Sequence, residues 1–420
     1  MDYRIFPPDE IIETEISLPL SKSETNRALI MNALTPGDTP VGAIAECDDT
    51  RALIEALGSD ADTINIGDCG TAMRFLTGYF AAKSGRTVTL DGSERMRQRP
   101  IGPLVDALHL CGANIEYVGV EGYPPLLIHG TELKGGTIEI DATVSSQFIS
   151  SLLMIAPTMT EGLTLNLKGE PSSLPYILMT LGMMEQRGIT CERIPDQIIV
   201  NRDEYRPTTT PIEPDWSAAS YWFELSSMGS AYIGLPGLKL PSLQGDAACA
   251  KIFQRLGVMT EEEDGVLQVS PSPDMYGRVD LDMSDTPDMA PSIIVACAAL
   301  GVPFHITGLG SLAIKECDRL QALHNELLKL GVEIEIERGN SAIWEGRRLP
   351  VFEVPVIETY GDHRIAMSFA PLATLIPGII IKDIEVVSKS YPHYWDDLRK
   401  AGFIMTDAAE PIEDEESEES

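Results

Sequence analysis

Six times along this 420-residue chain the end of an amphipathic helix runs into a glycine and then into an alternating apolar segment. The copies read EALGSDADTINI, HLCGANIEYV, EQRGITCERI, QRLGVMTEEE, LKLGVEIEIE and RKAGFIM, with the glycines at Gly58, Gly112, Gly188, Gly257, Gly331 and Gly402. A glycine just past a helix end takes the left-handed cap conformation without a Cβ clash. The period-two alternation that follows, clearest in VEIEIE, is that of a half-buried strand. Successive glycines lie 54, 76, 69, 74 and 71 residues apart, so the chain repeats a supersecondary unit of about 70 residues.

A second pattern interleaves with the first. Small-residue helices open on hydroxyls, glycines or charges: SKSETNRALI, CGTAMRFLTGYFAA, VSSQFISSLLMIA, WSAASYWFELSS, PDMAPSIIVACAAL and GDHRIAMSFAPLATL. Ala and Ser let a helix approach its neighbours closely, which predicts six interior helices. Each unit then holds one buried and one amphipathic helix alternating with strands, an α/β architecture. Six units form either one solenoid or two three-unit domains. The polar, Pro- and Thr-rich stretch VNRDEYRPTTTPIEPD, residues 200–215, falls between the third and fourth copies and favours two domains with a hinge there.

The formal charge of −33 excludes a general nucleic-acid or anionic-membrane surface, which needs a basic footprint. Part of it is local: DAAEPIEDEESEES, from Asp407 onward, carries eight acidic residues and no basic one and reads as a solvated, disordered tail. The seven cysteines are scattered, odd in number and form no CxxC pair, the usage of a reducing compartment. MDYRIFPPDE lacks the basic and apolar regions of a signal peptide, and no apolar run approaches the ~20 residues that span a bilayer. A cytoplasmic location is expected.

With 31 Lys and Arg against 64 Asp and Glu, cations are scarce, yet they cluster at helix openings. Lys22 and Arg27 open the first interior helix and Arg74 lies one turn into the second. Arg95, Arg97 and Arg99 crowd RMRQRP, Lys315 and Arg319 flank a helix start, His363 and Arg364 open the last interior helix, and Lys389 sits in SKSYP. A cation at a helix N-terminus opposes the dipole by roughly 0.3–1 kcal/mol unless an anion completes the site. Unpaired N–H groups with added Lys or Arg make phosphate or carboxylate receptors. Each cluster also has a plainer reading. RMRQRP alone reads equally as a solvated loop, and Lys315, Glu316, Asp318 and Arg319 as an exposed ion-pair ladder. Asp362, His363 and Arg364 read as a capping cluster, Asp288 as a cap and Glu316 as a dipole partner. Asp288 and Glu316 are the two carboxylates placed for acid–base work. The chain has no GxGxxG after a strand, no GxxxxGK[ST], no HExxH and no GxSxG, and its six His form no ligand set. This points to small phosphorylated or carboxylated substrates, with no metal and no cofactor.

The motifs SKSETNRAL, GDCGTAMRFL, RMRQRPIGPLVDAL, VSSQF, SLPY, TPDMA, IKECDRL, YGDHRIAM and SKSYPHYW, from Leu18 to Leu398, resemble in order and spacing the 5-enolpyruvylshikimate 3-phosphate synthase family. The resemblance implies a two-domain inside-out α/β barrel, each domain three βαβαββ repeats around buried helices. It implies an N-terminal domain of residues 21–213 and a C-terminal domain of residues 1–20 with 214–420, the first strand crossing into the second domain. The implied partners are phosphoenolpyruvate and shikimate 3-phosphate, and the chain is expected to act as a monomer. By matching position, Lys22, Gly70, Arg99, Arg319, Arg364 and Lys389 would contact phosphoenolpyruvate. Ser23, Arg27, Ser145, Ser146, Ser173, Tyr176, Asp288 and Lys315 would hold shikimate 3-phosphate, with Gln147 between the two. Asp288 would take the 5-hydroxyl proton. Glu316, aided by Lys22, would protonate the methylene carbon and later remove that proton, which asks for one carboxyl ionised and the other protonated near neutral pH. Domain closure on binding is expected, because the contacts come from both halves of the chain.

Four positions depart from the family pattern. Asp68 stands for Asn, Ser311 for Asn, Cys317 for Ser or Thr, and Phe75 follows Arg74 where Pro or Leu is common. Asp68 either points away as a helix cap or weakens anion binding. The sister UDP-N-acetylglucosamine enolpyruvyl transferases carry a reactive Cys in the loop matching GSERMRQRP, and no Cys lies between Cys69 and Cys111 here. A non-catalytic anion-binding scaffold would be expected to lose Lys22, Glu316 or Asp288, and an RNA phosphate cyclase would need a basic surface.

Overall fold

The computed structural model describes residues 1–409 except 38–40, 144, 209 and 230. Among the described residues five four-stranded sheets form, and all share one wiring. Thr63–Asn65 runs parallel to Thr87–Asp91, which pairs antiparallel with Leu126–His129, itself antiparallel to Asn114–Tyr117. Gly136–Asp141, Leu163–Lys168, Gln197–Val200 and Cys191–Ile194 repeat this order, as do Val279–Asp282, Phe304–Thr307, Ser341–Trp344 and Glu335–Glu337. An interior helix joins each parallel pair, and an outer helix leads into each hairpin.

The other two sheets are completed by the start of the chain. Tyr3–Phe6 lies between Ile379–Ile381 and Ile404–Asp407, antiparallel to both, as the last strand of the sixth unit. Ile12–Glu15 runs parallel to Ala231–Pro236 as the first strand of the fourth. The chain then passes between the lobes twice, side by side. The Ser21 N–H donates to the Glu213 carbonyl at 2.7 Å and the Asp215 N–H to the Pro19 carbonyl at 2.9 Å. Asp407, read from sequence as the start of the acidic tail, is the last residue of a strand paired with Tyr3. Residues 410–420 of that tail lie outside the described residues.

The first unit departs from the repeat. It has its two helices, Lys22–Ala33 and Asp48–Gly58, but Thr63–Asn65 already belongs to the next sheet. Its short spacing of 54 residues reflects the lack of a hairpin of its own among the described residues. Gly58 accordingly is not a left-handed cap: it ends its helix and the chain leaves through an extended Ser59. Gly112, Gly188, Gly257, Gly331 and Gly402 have φ of 94°, 80°, 76°, 75° and 95°, as the cap reading requires.

Two hydrophobic cores result, one from residues between Ala28 and Ile212, the other joining Ile5–Leu18 to residues from Trp216 to Phe403. The interior helices Gly70–Ala82, Ser146–Ile155 and Trp216–Ser227 are buried along their length. In their opening turns only Thr71, Gln147 and Ser217 are partly exposed. No helix of the described residues is long and apolar enough to cross a membrane.

One interior side chain carries a cost. Glu224 is 0% exposed and neither carboxyl oxygen has a partner among the described residues. Burial pushes its carboxyl well above the ordinary range, so the folded protein keeps a proton there that the unfolded chain releases. Stability from this group is therefore full below the unfolded value and falls as pH rises through the window up to the folded one. We expect Glu224→Leu to gain on the parent by about 1.4 kcal/mol per pH unit between pH 5 and 7, read by urea unfolding. A difference that stays flat with pH would refute this.

Candidate active site

The interior helices open at one cleft between the lobes. Its wall takes Lys22 and Ser23 from the first helix, Gly70 and Thr71 from the second, and Ser145, Ser146 and Gln147 from the third. The other lobe adds Asp215 and Ser217, Pro287 and Asp288, and His363 and Arg364. Helix N-termini carry about half a positive charge each, and the side chains add to it. Seven Lys or Arg and four carboxylates line the cleft, the reverse of the balance in the whole chain. Every site residue expected from the sequence lies on this wall except Lys389, which lines an adjoining cavity sharing Asp49, Arg99 and Glu316 with it.

Arg319 sits at the centre, 1% exposed. Its Nε donates to Asp362 Oδ2 at 2.7 Å, Nη1 to Asp288 Oδ1 at 3.0 Å and Nη2 to Glu316 Oε2 at 2.8 Å. The ladder reading of this segment fails because the Arg319–Glu316 pair is buried; Asp318 is instead the cap of helix Arg319–Lys329. Asp288 makes no cap hydrogen bond either. It also receives Lys315 Nζ at 3.2 Å and Arg364 Nη2 at 3.1 Å. Asp362 does cap its helix, accepting from the Arg364 N–H at 2.9 Å.

Burial alone would push Asp288 and Glu316 up. Arg364, Lys315 and Arg319 outweigh it at Asp288 and hold that carboxyl well below the usual range. Arg319, Lys389 and Arg99 do the same at Glu316. In the protein alone, its own charges therefore favour the ionised form of both carboxyls. Burial, with Lys22 and Arg364 nearby, keeps His363 neutral.

Asp49 was not singled out by sequence. Its two oxygens accept from Lys22 Nζ and Lys389 Nζ, each at 2.9 Å, so one carboxylate joins the lobes. Its only sequence signal is the acidic pair of CDDTRA at an ordinary helix opening. RMRQRP splits three ways. Arg97 is exposed and paired with Asp91, Arg95 Nη2 donates to the Lys315 carbonyl at 3.0 Å across the cleft, and Arg99 Nη1 approaches Glu316 at 4.0 Å. Gly70 packs directly against these guanidiniums: a Cβ there would lie 2.7 Å from Arg99 Nη1 and would also meet Arg74 Nη1, so both arginine tips would have to move.

Arg27 is held on three sides, by Thr180 Oγ1 at 2.7 Å, the Ser23 carbonyl at 2.9 Å, and Ser150 Oγ and the Tyr176 carbonyl at 3.2 Å. Phe75 and Tyr176 present ring faces to it at 5.3 and 5.8 Å. Burial lowers it only to about 10, so it stays charged. Ser145 caps its helix at the Gln147 N–H, 3.3 Å away, and Gln147 Nε2 donates to Thr71 at 3.2 Å. Ser173 takes a left-handed φ of 56° and its N–H donates to Ser284 of the other lobe at 3.0 Å. Of the departures, Asp68 is exposed and turns to Ser93 while its carbonyl accepts from Lys389 at 3.0 Å. Cys69, not Asp68, is the helix cap. The Cys317 thiol lies 3.5 Å from Asp362, and Ser311 faces the cleft.

Two α/β lobes whose helix openings close a cationic cleft around paired carboxylates define a group-transfer enzyme for small anions. Residues 59–398 match the family described as EPSP synthase (3-phosphoshikimate 1-carboxyvinyltransferase), and the chain belongs to that family. It is 47% identical to a 3-phosphoshikimate 1-carboxyvinyltransferase of Bacteroides fragilis strain YCH46, over 96% of this chain and 98% of that one. It is 36% identical to the Methanospirillum hungatei protein of the same name, over 91% and 95%. An EPSP synthase structure from Acinetobacter baumannii superposes with a TM-score of 0.77 at 21% identity, covering 97% of this chain and 100% of that one, and so shares its fold.

Removing one partner of a buried ion pair strands the other charge. We expect Asp362→Ala, which leaves Arg319 without its fully buried partner, to lower unfolding stability by about 3–5 kcal/mol. Denaturant unfolding checks this, and a loss below about 1 kcal/mol would show that Asp288 and Glu316 suffice to hold Arg319.

Proposed function

We propose that this chain transfers the enolpyruvyl group of phosphoenolpyruvate to the 5-hydroxyl of shikimate 3-phosphate, releasing phosphate, in the route to aromatic amino acids. The observation that carries the residue roles is that Asp288 and Glu316 sit on the two arms of one guanidinium, 3.0 and 2.8 Å from Arg319, in a cleft of cationic helix openings. Phosphoenolpyruvate lies among Lys22, Gly70, Arg99, Arg319, Arg364 and Lys389. Shikimate 3-phosphate lies among Ser23, Arg27, Ser145, Ser146, Ser173, Tyr176 and Lys315, with Gln147 between them.

The chemistry needs two proton movements. Asp288 accepts the 5-hydroxyl proton as the oxygen attacks the C2 of phosphoenolpyruvate, while Glu316, aided by Lys22, delivers a proton to C3. The tetrahedral adduct collapses when Glu316 takes a proton back from C3 and the C2–O bond to phosphate breaks; the departing phosphate carries off the proton held by Asp288, and Glu316 returns its own to solvent. Glu316 must therefore acquire a proton first. The substrate's phosphate and carboxylate would bring negative charge against Arg319, Lys389 and Arg99, the cations that hold Glu316 low. Its carboxyl then rises towards the range where it acts as an acid.

We assign residues 21–213 to one domain and 1–20 with 214–420 to the other, supported by the two cores and the paired strands between Leu20 and Pro214. A monomer suffices for this reading, since both halves of one chain line the cleft. Seven free cysteines accord with the cytoplasm.

Phosphate release from phosphoenolpyruvate with shikimate 3-phosphate as acceptor tests the reaction. In the same assay Glu316→Gln is expected to lose about 10²–10⁴-fold in turnover with substrate binding within a few-fold of the parent. Near-parental turnover would remove Glu316 from its role.

A further inference from the structure

Behind the cleft wall the segment Ser242–Asp246, SLQGD, leaves its own lobe to grip the other. Ser242 Oγ donates to Glu213 at 2.5 Å. The Gln244 side chain donates to the Pro214 carbonyl at 2.8 Å and accepts from the Trp216 N–H at 3.0 Å. These contacts clamp the second crossing between the lobes. The same segment then meets helix Leu174–Glu185 of the other lobe. A Cβ on Gly245 would run into Pro175, and one on Gly182 would lie 2.9 Å from Leu243 Cδ2. The two lobes thus approach closely here, with Gly245 against Pro175.

Asp246 ends this segment, 3% exposed. Its Oδ2 accepts from the Ser217 hydroxyl of its own lobe and from the Tyr176 hydroxyl of the other, the latter at a long 3.5 Å. Its Oδ1 is buried with no partner among the described residues. Ser217 and Tyr176 both face the cleft, and Asp246 does not. Burial pushes the Asp246 carboxyl up to about 6, with Asp288 and Asp215 adding to the rise and Ser217 and Arg364 opposing it. Burial and the same carboxylates hold the Tyr176 hydroxyl far above its ordinary range, so it remains a proton donor.

A hydroxyl turns freely until an acceptor fixes its proton. With both protons directed at Asp246, Tyr176 and Ser217 offer oxygen lone pairs to the cleft, which suit a ring hydroxyl of a ligand better than a phosphate. We propose that Asp246 is a positioning residue for the acceptor substrate, orienting the Tyr176 and Ser217 hydroxyls from opposite lobes so that together they receive its ring hydroxyls. The inference rests on Tyr176 belonging to the shikimate 3-phosphate pocket.

Steady-state kinetics of Tyr176→Phe, Asp246→Ala, Asp246→Asn and Tyr176→Phe/Asp246→Ala test it, with thermal unfolding of each. One hydrogen bond corresponds to about a tenfold change. Asp246→Ala is expected to raise KM for shikimate 3-phosphate about tenfold while KM for phosphoenolpyruvate stays within about twofold. Asp246→Asn, which keeps one acceptor, rises about threefold and serves if the alanine variant unfolds. The double variant should be no worse than the poorer single one, because both break the same contact. A parental KM in Asp246→Ala or Asp246→Asn beside a raised KM in Tyr176→Phe overturns the role of Asp246 alone. So do equal rises for both substrates, or effects that multiply in the double variant. A parental shikimate 3-phosphate KM in Tyr176→Phe overturns the Tyr176 assignment, and the proposal with it.

Discussion

A guanidinium sealed from water, shared among three carboxylates, is the constraint on which this site depends. An isolated buried charge costs several kcal/mol, and Arg319 avoids that cost only through the planar fork that matches Asp362, Asp288 and Glu316 at once. Lysine, a point charge on a flexible stem, could not set the three in register. Because Asp362 also caps the helix that starts at His363, the same carboxylate fixes where Arg364 emerges. Because Asp288 is shared with Lys315 and Arg364, the two carboxylates proposed for proton transfer are located by one rigid group.

Repetition explains why so many cations can converge here. In a right-handed parallel crossover the helix begins beside the carboxyl end of its first strand. Every copy of the unit therefore starts its interior helix at the same end. With sheets outside and these helices inside, each lobe presents a bundle of positive ends to the other. The chain's own start closes both incomplete units of the second lobe, through Tyr3–Phe6 and Ile12–Glu15. The two crossings are thereby forced side by side at Leu20 and Pro214.

Local periodicity made most of this architecture legible. The glycines from Gly112 onward and the small-residue helices are set by φ preference and close packing, which a short window of sequence carries. The opening cations were legible because they run against the helix dipole. Asp49 was not, since its role comes from Lys389, 340 residues away, and nothing near CDDTRA marks it. Asp246 lay hidden for the same reason: its partners Ser217 and Tyr176 come from separate lobes. The short first unit was written in the spacing of 54, but reading it required seeing that Thr63–Asn65 pairs forward with Thr87–Asp91. The ionised state of Glu316 in the protein alone was not legible for a different reason. Sequence names the charged neighbours, whereas the balance between desolvation and three converging cations depends on distances.

That balance also gives the site its economy. Lys22 and Lys389 share Asp49, and Arg319, Lys315 and Arg364 share Asp288, so the protein supplies its own anions to these five cations, while Arg27 rests on neutral acceptors. Exchanging one anion for another inside a cleft avoids most of the desolvation that a bare cationic pocket would impose. It also couples binding to chemistry. Each negative group of a substrate that takes over part of a cation's field leaves a protein carboxylate less stabilised, and that carboxylate's affinity for a proton rises. On the proposed roles, the arrival of phosphoenolpyruvate would create the acid that the addition step requires, and the departure of phosphate would restore the ionised pair.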